Sequence, residues 1–484
     1  MVTQFQINKD AGLLANISRV HFVGIGGIGM SALAELLLAK GKTVTGSDVK
    51  GSDLIERLKS LGIAVNIGHS AEAVLGADLV VFTSAARPDN PELEEAKRRG
   101  IKTIKRAELL GWVMNESFGL AVAGTHGKTT TTSMLAYILQ KGGMDPTALI
   151  GGEPLDFPSH GLMGNGHYLV AEADEFDRSF LQLWPKVAII TSIEADHLDC
   201  YTDLDDIKQT FLQFASRIPA DGLLVTCSDD PILRDMKLPV PRQSYGVSPG
   251  SDWLMEEYQP LSPYGTSFSF TTPSGNRHTC TLQLSGHHYA LNALGAIAAA
   301  NAVGIDSAQA SSILASFRGT RRRYELTGEA WGVAIIDDYA HHPTAVQATL
   351  KAARERHRDP IRCVFQPHTT NRTEKLLKEF SEAFDAADHV LILPIYRPAG
   401  REEGESISSR DLVARMHHPD VRHVGSLPEA AAVLESEVAK GDLVITMGAG
   451  DVFKVGEHVL CRLKKKEAAE KEIAERPFGR PEGR

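Results

Sequence analysis

Cysteine is scarce in this chain and never paired in sequence. The five residues, Cys200, Cys227, Cys280, Cys363 and Cys461, are scattered and form no CxxC, which argues against a disulfide framework or a cysteine zinc site and suits a reducing compartment. Positive charge is also short. The 51 Lys and Arg stand against 61 Asp and Glu, a net charge of −10, so this is not a chain built to coat nucleic acid or an anionic membrane. Any polyanionic ligand must therefore be met by local cations or a metal. Long apolar runs are missing too: the Ala-rich stretch from Ala293 to Val303 is far short of the ~20 residues that span a bilayer. The opening MVTQFQINKDAGLLANISRV has no basic-then-apolar signal pattern. The expectation is a cytoplasmic protein, monomer or homodimer, with no nucleic-acid partner and no membrane insertion.

What is present is a repeated α/β pattern. At roughly 100–200 residues per domain, a length of 484 predicts three domains. The strand-like runs RVHFVGI, KTVTGSD and ADLVVFTSA alternate with the helical SALAELLLAK and LIERLKSLG, which implies a parallel sheet covered by helices. A second series starts at LAVAGT and continues through HYLVAEAD and VAIITSI. Between about 221 and 285 short alternating strands predict a small antiparallel flank, with a hairpin across Pro273–Asn276. A third series runs through VAIIDD, RCVFQP, HVLILPI and DLVITMGA. The expected fold class is α/β in three domains: a Rossmann-like domain over 1–118, a P-loop ATPase-like domain over 119–319 carrying the antiparallel flank, and a Rossmann-like domain over 320–462. The charged segment 463–484 reads as a solvated helix fraying into a mobile tail.

Two glycine clusters carry phosphate chemistry. Gly24-x-Gly26-x-x-Gly29 follows a strand and opens a helix, with Asp48 at the end of the next strand; such a turn admits a nucleotide diphosphate, nicotinamide or other. Gly124-Thr125-His126-Gly127-Lys128-Thr129-Thr130 again has a strand before and a helix after. Its amides can cradle phosphates, Lys128 can reach the terminal oxygens and Thr129 can hold Mg²⁺. Val122 stands where the usual pattern wants glycine, so the loop is a shortened variant. Glu172 and His197 sit at the ends of central strands, where an open α/β sheet presents its ligand crevice; they suit Mg²⁺ or Mn²⁺, although a helix cap and a core histidine would look the same. The third series offers Arg322, Arg323, Asp337, Asp338, His341, His342, His368 and Arg372, each of which a surface ion pair could also explain.

Taken together, HFVGIGGIGMSALAELL, TSAARPDNPE, AVAGTHGKTTTTSMLA, EADEFDRSFL, IEADHLDCY, DDYAHHPT and MGAGD resemble the Mur ligases, in the branch that adds alanine. The resemblance covers residues 20 to 462 and implies ATP-dependent ligation of L-alanine to the lactyl carboxylate of UDP-N-acetylmuramate, by way of an acyl phosphate. It implies that Gly24, Gly26, Gly27, Gly29, Ser47, Asp48 and Ser84 serve the UDP-sugar. Gly124 to Thr130, Asn292, Arg323 and Asp338 would hold ATP. Thr129, Glu172 and His197 would serve the metal, with Lys128, Glu172 and His197 catalytic and the third domain closing over the crevice. By the same analogy an amino-acid carboxylate needs a cationic anchor, for which Arg372 is the candidate, beside His368 and His342. The chain departs from the family pattern at Tyr289, at Thr369 and in SHGLMGNG (159–166). Tyr289 is therefore expected to alter base recognition, and Thr369→Arg to tighten alanine binding. A peptide-accepting relative, a nicotinamide dehydrogenase and a nucleotide-binding paralogue with weakened catalysis are the alternatives.

Overall fold

The computed structural model describes residues 12–198, 200–262, 264–397 and 406–475. They form two compact units that meet in sequence between Thr320 and Arg321, with Ser262–Tyr264 assigned to the second.

The first unit holds two sheets. Strands β1 (Arg19–Val23), β2 (Thr43–Asp48), β3 (Ala64–Ile67), β4 (Leu79–Phe82) and β5 (Lys102–Lys105) form a parallel sheet in the order β3-β2-β1-β4-β5. The inner strands are apolar and buried through Val20, Phe22, Val23, Leu79, Val80 and Val81, as a sheet covered on both faces requires. Order reverses between β1 and β4, and there the chain turns from β1 through Gly24–Gly29 into the helix Ile28–Ala39. Asp48 Oδ2 accepts the Gly26 N–H at 2.9 Å, so this carboxylate holds the turn in shape.

The second sheet has ten strands: β6 (Phe118–Ala123), β7 (Thr147–Leu149), β8 (Gly161–Leu162), β9 (Tyr168–Glu172), β10 (Val187–Ile190), β11 (Leu223–Cys227), β12 (Arg242–Gly246), β13 (Trp253–Pro260), β14 (Thr266–Thr271) and β15 (Arg277–Leu282). Their order is β15-β14-β13-β12-β11-β10-β6-β9-β7-β8. The expected flank is part of this one sheet. Strands β11, β12 and β13 continue it in parallel, β14 is antiparallel to both β13 and β15, with Thr271 paired to Arg277 across the expected hairpin, and at the other edge β8 is antiparallel to β7. The Ala-rich stretch lies in the helix His287–Ala302, where Ala296 to Ala300 are fully buried. Small side chains let it pack closely on the equally buried helix Lys128–Lys141.

The second unit is a sheet in the order β16-β17-β21-β18-β19-β20, built from β16 (Glu325–Ala330), β17 (Val333–Asp338), β18 (Ile361–Phe365), β19 (His389–Ile392), β20 (Val421–His423) and β21 (Leu443–Met447). Strand β16 is antiparallel to β17 and the others run parallel. The boundary expected at 462 falls inside a helix, Phe453–Glu475. This segment does not fray where the charge run begins. The Trp331 indole N–H donates to Glu470 at 2.6 Å and Lys466 lies 3.3 Å from the centre of the same ring, a cation–π contact that docks the charged helix on the unit. The remainder of the expected tail, 476–484, lies outside the described residues.

Candidate active site

Strand β6 lies between β9 and β10, so the loop that follows it is flanked by the C-terminal ends of two parallel neighbours. That placement brings Glu172 from the end of β9 and Thr191–His197 from beyond β10 toward Gly124–Thr130. The loop is laced to the latter segment. Thr125 N–H donates to the Ser192 carbonyl at 2.9 Å, His126 N–H to Ser192 Oγ at 3.1 Å, and Glu194 N–H to Thr125 Oγ1 at 2.8 Å. Gly127, at φ +78°, opens the helix Lys128–Lys141, and a Cβ there would come within 2.6 Å of Asn292 Oδ1. Asn292 thus sits against the loop. Thr129 and Thr130 are buried in the first helical turn.

Lys128 is turned into the loop. Its ammonium donates to the Gly124 carbonyl at 2.6 Å and to both oxygens of Glu175 at 2.8 Å. Burial works against that charge, but the charges of Glu175, Asp174 and Glu172 and the hydrogen bond to Glu175 outweigh it, and the pKa rises above the ordinary lysine value. Glu175 is nearly inaccessible and supplies the negative partner that phosphate oxygens would otherwise give. The sequence reading did not single it out. The available signal is the acidic run EADEFD, of which Glu175 is the member facing the lysine.

The expected metal trio is arranged differently from the sequence reading. His197, at φ +51°, gathers with Asp174 and Glu175, whose ligand atoms and its own lie within 4.8 Å of one another. Glu172 accepts the Gly151 N–H at 2.6 Å and acts on Lys128 through its charge. Two carboxylates and an imidazole suit a divalent cation such as Mg²⁺ or Mn²⁺.

Around the first glycine turn, Ser47 is fully buried and donates to Glu92 Oε2 at 2.6 Å, with His69 Nδ1 at 3.0 Å. Its side chain is therefore an interior brace and not a donor to the crevice. Burial pushes the Glu92 carboxyl up, but the hydrogen bonds from His21 and Ser47 and the charges of His21 and His69 hold it below its usual range. Ser84 directs its hydroxyl at Asp177 (3.4 Å), which also takes the Lys105 ammonium at 2.6 Å. Tyr289 is buried in the helix His287–Ala302 with its ring 4.1 Å from that of His288. It packs the interior of the unit.

In the second unit Arg322, at φ +59°, donates to Asp337 at 2.8 Å and to the carbonyls of Gly450 and Gly448 at 3.0 and 2.7 Å. It is spent on holding the segment after β21. Arg323 lies 4.8 Å from the Tyr339 ring and its charge acts on Asp338. His368 stacks on Tyr396 with ring centres 5.7 Å apart and lies 3.3 Å from Arg372 Nη1, while His341 approaches the same imidazole edge-on. His342 is buried at the start of the helix Pro343–Arg354. Thr369 is also buried, at φ +66°, and caps the helix Thr370–Lys375 by accepting the Arg372 N–H. Thr369→Arg would therefore remove this cap and introduce a long side chain at a buried position.

Burial pushes the Asp338 carboxyl up to about 6, against the opposing charge of Arg323 and the N–H groups of Ala340 and Tyr324. A folded pKa above the unfolded one means that folding takes up a proton between the two. The stabilisation is full below about pH 4 and lost as pH rises through about 6, roughly 3 kcal/mol in all. Urea unfolding of the chain and of Asp338→Asn from pH 4 to 7 should show the difference between them drifting against the unsubstituted chain by about that amount. A pH-independent difference would mean that Asp338 stays ionised throughout.

A glycine loop with a buried lysine, acidic strand ends and a second glycine turn on a separate sheet are the features of a nucleotide-dependent α/β enzyme. Residues 19–118 match the family model described as Mur ligase family, catalytic domain; 122–300 match the Mur ligase middle domain, and 322–450 the Mur ligase, glutamate ligase domain. The chain is 42% identical to the UDP-N-acetylmuramate--L-alanine ligase of Caldanaerobacter subterraneus subsp. tengcongensis and 44% identical to that of Geobacter sp. (strain M21), over 93% of this chain and 99% of each relative. Among solved structures it is similar to the UDP-N-acetylmuramate-alanine ligase of Thermotoga maritima, with TM-score 0.77, 29% identity, and coverage of 93% of this chain and 99% of that one. It is also similar to a murein peptide ligase of Psychrobacter arcticus 273-4, with TM-score 0.69 and 28% identity over 92% and 99%. The chain belongs to the Mur ligase family.

Proposed function

We propose that this chain joins L-alanine to the lactyl carboxylate of UDP-N-acetylmuramate at the expense of ATP, in peptidoglycan precursor synthesis. The observation that carries this reading is the full-length likeness to alanine-adding ligases, and the buried Lys128 in its phosphate loop supports it. A lactyl oxygen attacks the γ-phosphorus and ADP leaves; the alanine amine then attacks the acyl carbon, and phosphate leaves as the amine loses a proton. Lys128 neutralises charge gathering on the transferred group. Loop amides fix the phosphates, and Asn292, Arg323 and Asp338 serve the nucleotide. His197 with Asp174 and Glu175 would hold Mg²⁺ or Mn²⁺, with Thr129 and Glu172 proposed beside them on sequence grounds; such an ion supplies Lewis-acid stabilisation of phosphoryl charge. The reaction draws on ATP and a UDP-sugar and belongs in the cytoplasm; among the described residues no helix is long and apolar enough to cross a membrane.

ADP release with UDP-N-acetylmuramate, ATP and each of alanine, glycine, serine and a tripeptide tests this reading. Alanine should give the highest kcat/KM. A preference for the tripeptide would instead favour the peptide-ligase relatives, and no release with any amine would make the chain a nucleotide-binding paralogue.

Arg372, His368 and His342 remain the proposed carboxylate anchor for alanine. Removing a charge-assisted hydrogen bond costs roughly 1.5–3 kcal/mol, so Arg372→Ala should raise the KM for alanine by about ten-fold or more and leave ATP binding unchanged. Thr369→Arg should lower thermal stability and not tighten alanine binding. An unmoved KM in Arg372→Ala would place the anchor elsewhere.

A further inference from the structure

A cavity of about 240 Å³ opens in the first unit between the glycine turn and the ATP-site strand ends. It is lined by Gly29 and Arg106 on one side and by Gly151, Glu172 and Asp174 on the other. Arg106 is the first residue of the helix Arg106–Asn115 and is partly buried. Its neighbour Lys105 is committed to Asp177. Several arginines of this unit have carboxylates, Arg57 pairing with Glu35, Arg98 with Glu95 and Arg178 with Asp206, while Arg242 donates to the Leu233 carbonyl and Arg217 lies over the Trp184 ring. The Arg106 guanidinium, by contrast, has no hydrogen-bond or ion-pair partner among the described residues. A Cβ built on Gly29 would lie 3.0 Å from Arg106 Nη1 and 3.1 Å from its Cδ, so the side chain lies directly over the turn.

A partly buried cation without a counter-ion is costly to keep, and in a chain of net charge −10 a carboxylate partner would be easy to supply. We infer that Arg106 is a substrate-binding residue that holds the diphosphate of the UDP-sugar, its planar fork taking two phosphate oxygens above the Gly24–Gly29 turn. This rests on the substrate reading given above and deepens it. The UDP-sugar carries two kinds of anion, the diphosphate and the lactyl carboxylate. The diphosphate is assigned because Arg106 packs on the glycine turn, whereas the carboxylate must reach the γ-phosphate near Lys128 and Glu172. A guanidinium suits phosphate because it donates two parallel N–H bonds, which an ammonium cannot do.

The test uses the full chain and isothermal titration with UDP, UDP-N-acetylglucosamine, UDP-N-acetylmuramate and ATP. Arg106→Met keeps the apolar stem against Gly29 and removes the charge. It should weaken all three UDP ligands by a similar factor, roughly ten- to hundred-fold, leave the ATP Kd unchanged and leave Tm unchanged because no internal partner is lost. Arg106→Lys should recover part of the affinity. Weakening of UDP-N-acetylmuramate alone would move Arg106 to the lactyl carboxylate and overturn the assignment, and so would unchanged binding of all three. An unsubstituted chain that binds UDP but not UDP-N-acetylmuramate would defeat the substrate reading while the UDP arm still judged the arginine.

Discussion

Lys128→Met should lower ADP release by at least ~10²–10³-fold, the loss that follows removal of one preorganised charge from a phosphoryl-transfer site. The lysine is held by two oxygens of Glu175 and one carbonyl of its own loop. No other residue from Gly124 to Thr130 carries a permanent positive charge. A second consequence separates the chemistry from the fold. With the ammonium gone, Glu175 is left as a buried carboxylate beside Asp174 and Glu172, and breaking such a pair from one side costs about 3 kcal/mol. Lys128→Met should therefore melt earlier as well as turn over more slowly. Adding Glu175→Gln removes the stranded charge and should restore most of the melting temperature but none of the rate. If the double variant recovers ADP release along with stability, the lysine serves the fold and not the phosphoryl group.

The same pair shows what could be read before the structure and what could not. Lys128 was legible because a strand, a Gly-Lys-Thr turn and a helix start lie consecutively in the chain, and the apolar runs of β1, β2, β4, β6 and β17 announced the sheets in the same way. Glu175 was not legible. Four acidic residues within EADEFD are alike in composition, and only the backbone turn at Asp177 and Arg178, φ +53° and +52°, sorts one toward the lysine and another toward Lys105. Strands β3 and β5 were missed because they lie at the sheet's edges and are largely exposed, so their sequences lack the apolar run that marks a central strand. Ser47 is assigned to the UDP-sugar by the resemblance alone, yet it is turned inward by a buried glutamate 45 residues later. Long-range partners of this kind leave no periodicity. The part of that helix from 463 on reads as a solvated, fraying segment for a related reason: its surface is charged, and the partner that fixes it, Trp331, is far away in sequence.

Gly124→Ala should abolish the ATP site through geometry alone. Gly124 sits at φ +129°, outside what an alanine adopts at low cost, and its Cβ would lie on the Thr191 hydroxyl and 2.9 Å from the backbone nitrogens of both Thr191 and Ser192. Two of those neighbours are main chain, so no rotamer change relieves the clash. Either the loop or the segment after β10 must move. Movement breaks the bonds from Thr125 N–H and His126 N–H to Ser192 and the bond from Lys128 to the Gly124 carbonyl, which together hold the cradle in its phosphate-binding shape. Backbone strain and overpacking each contribute about 1–3 kcal/mol, so thermal unfolding should shift by several degrees and ATP affinity should fall at least about hundred-fold if the cradle is dismantled. Gly41 provides the control: its φ is +78°, but nothing lies within 4 Å of an added Cβ. Gly41→Ala should therefore show only the ~1–2 kcal/mol of left-handed strain and bind ATP as the unsubstituted chain does. Equal ATP affinity for Gly124→Ala and Gly41→Ala would mean that the loop rearranges freely around residue 124 and is not held in advance by Thr191 and Ser192.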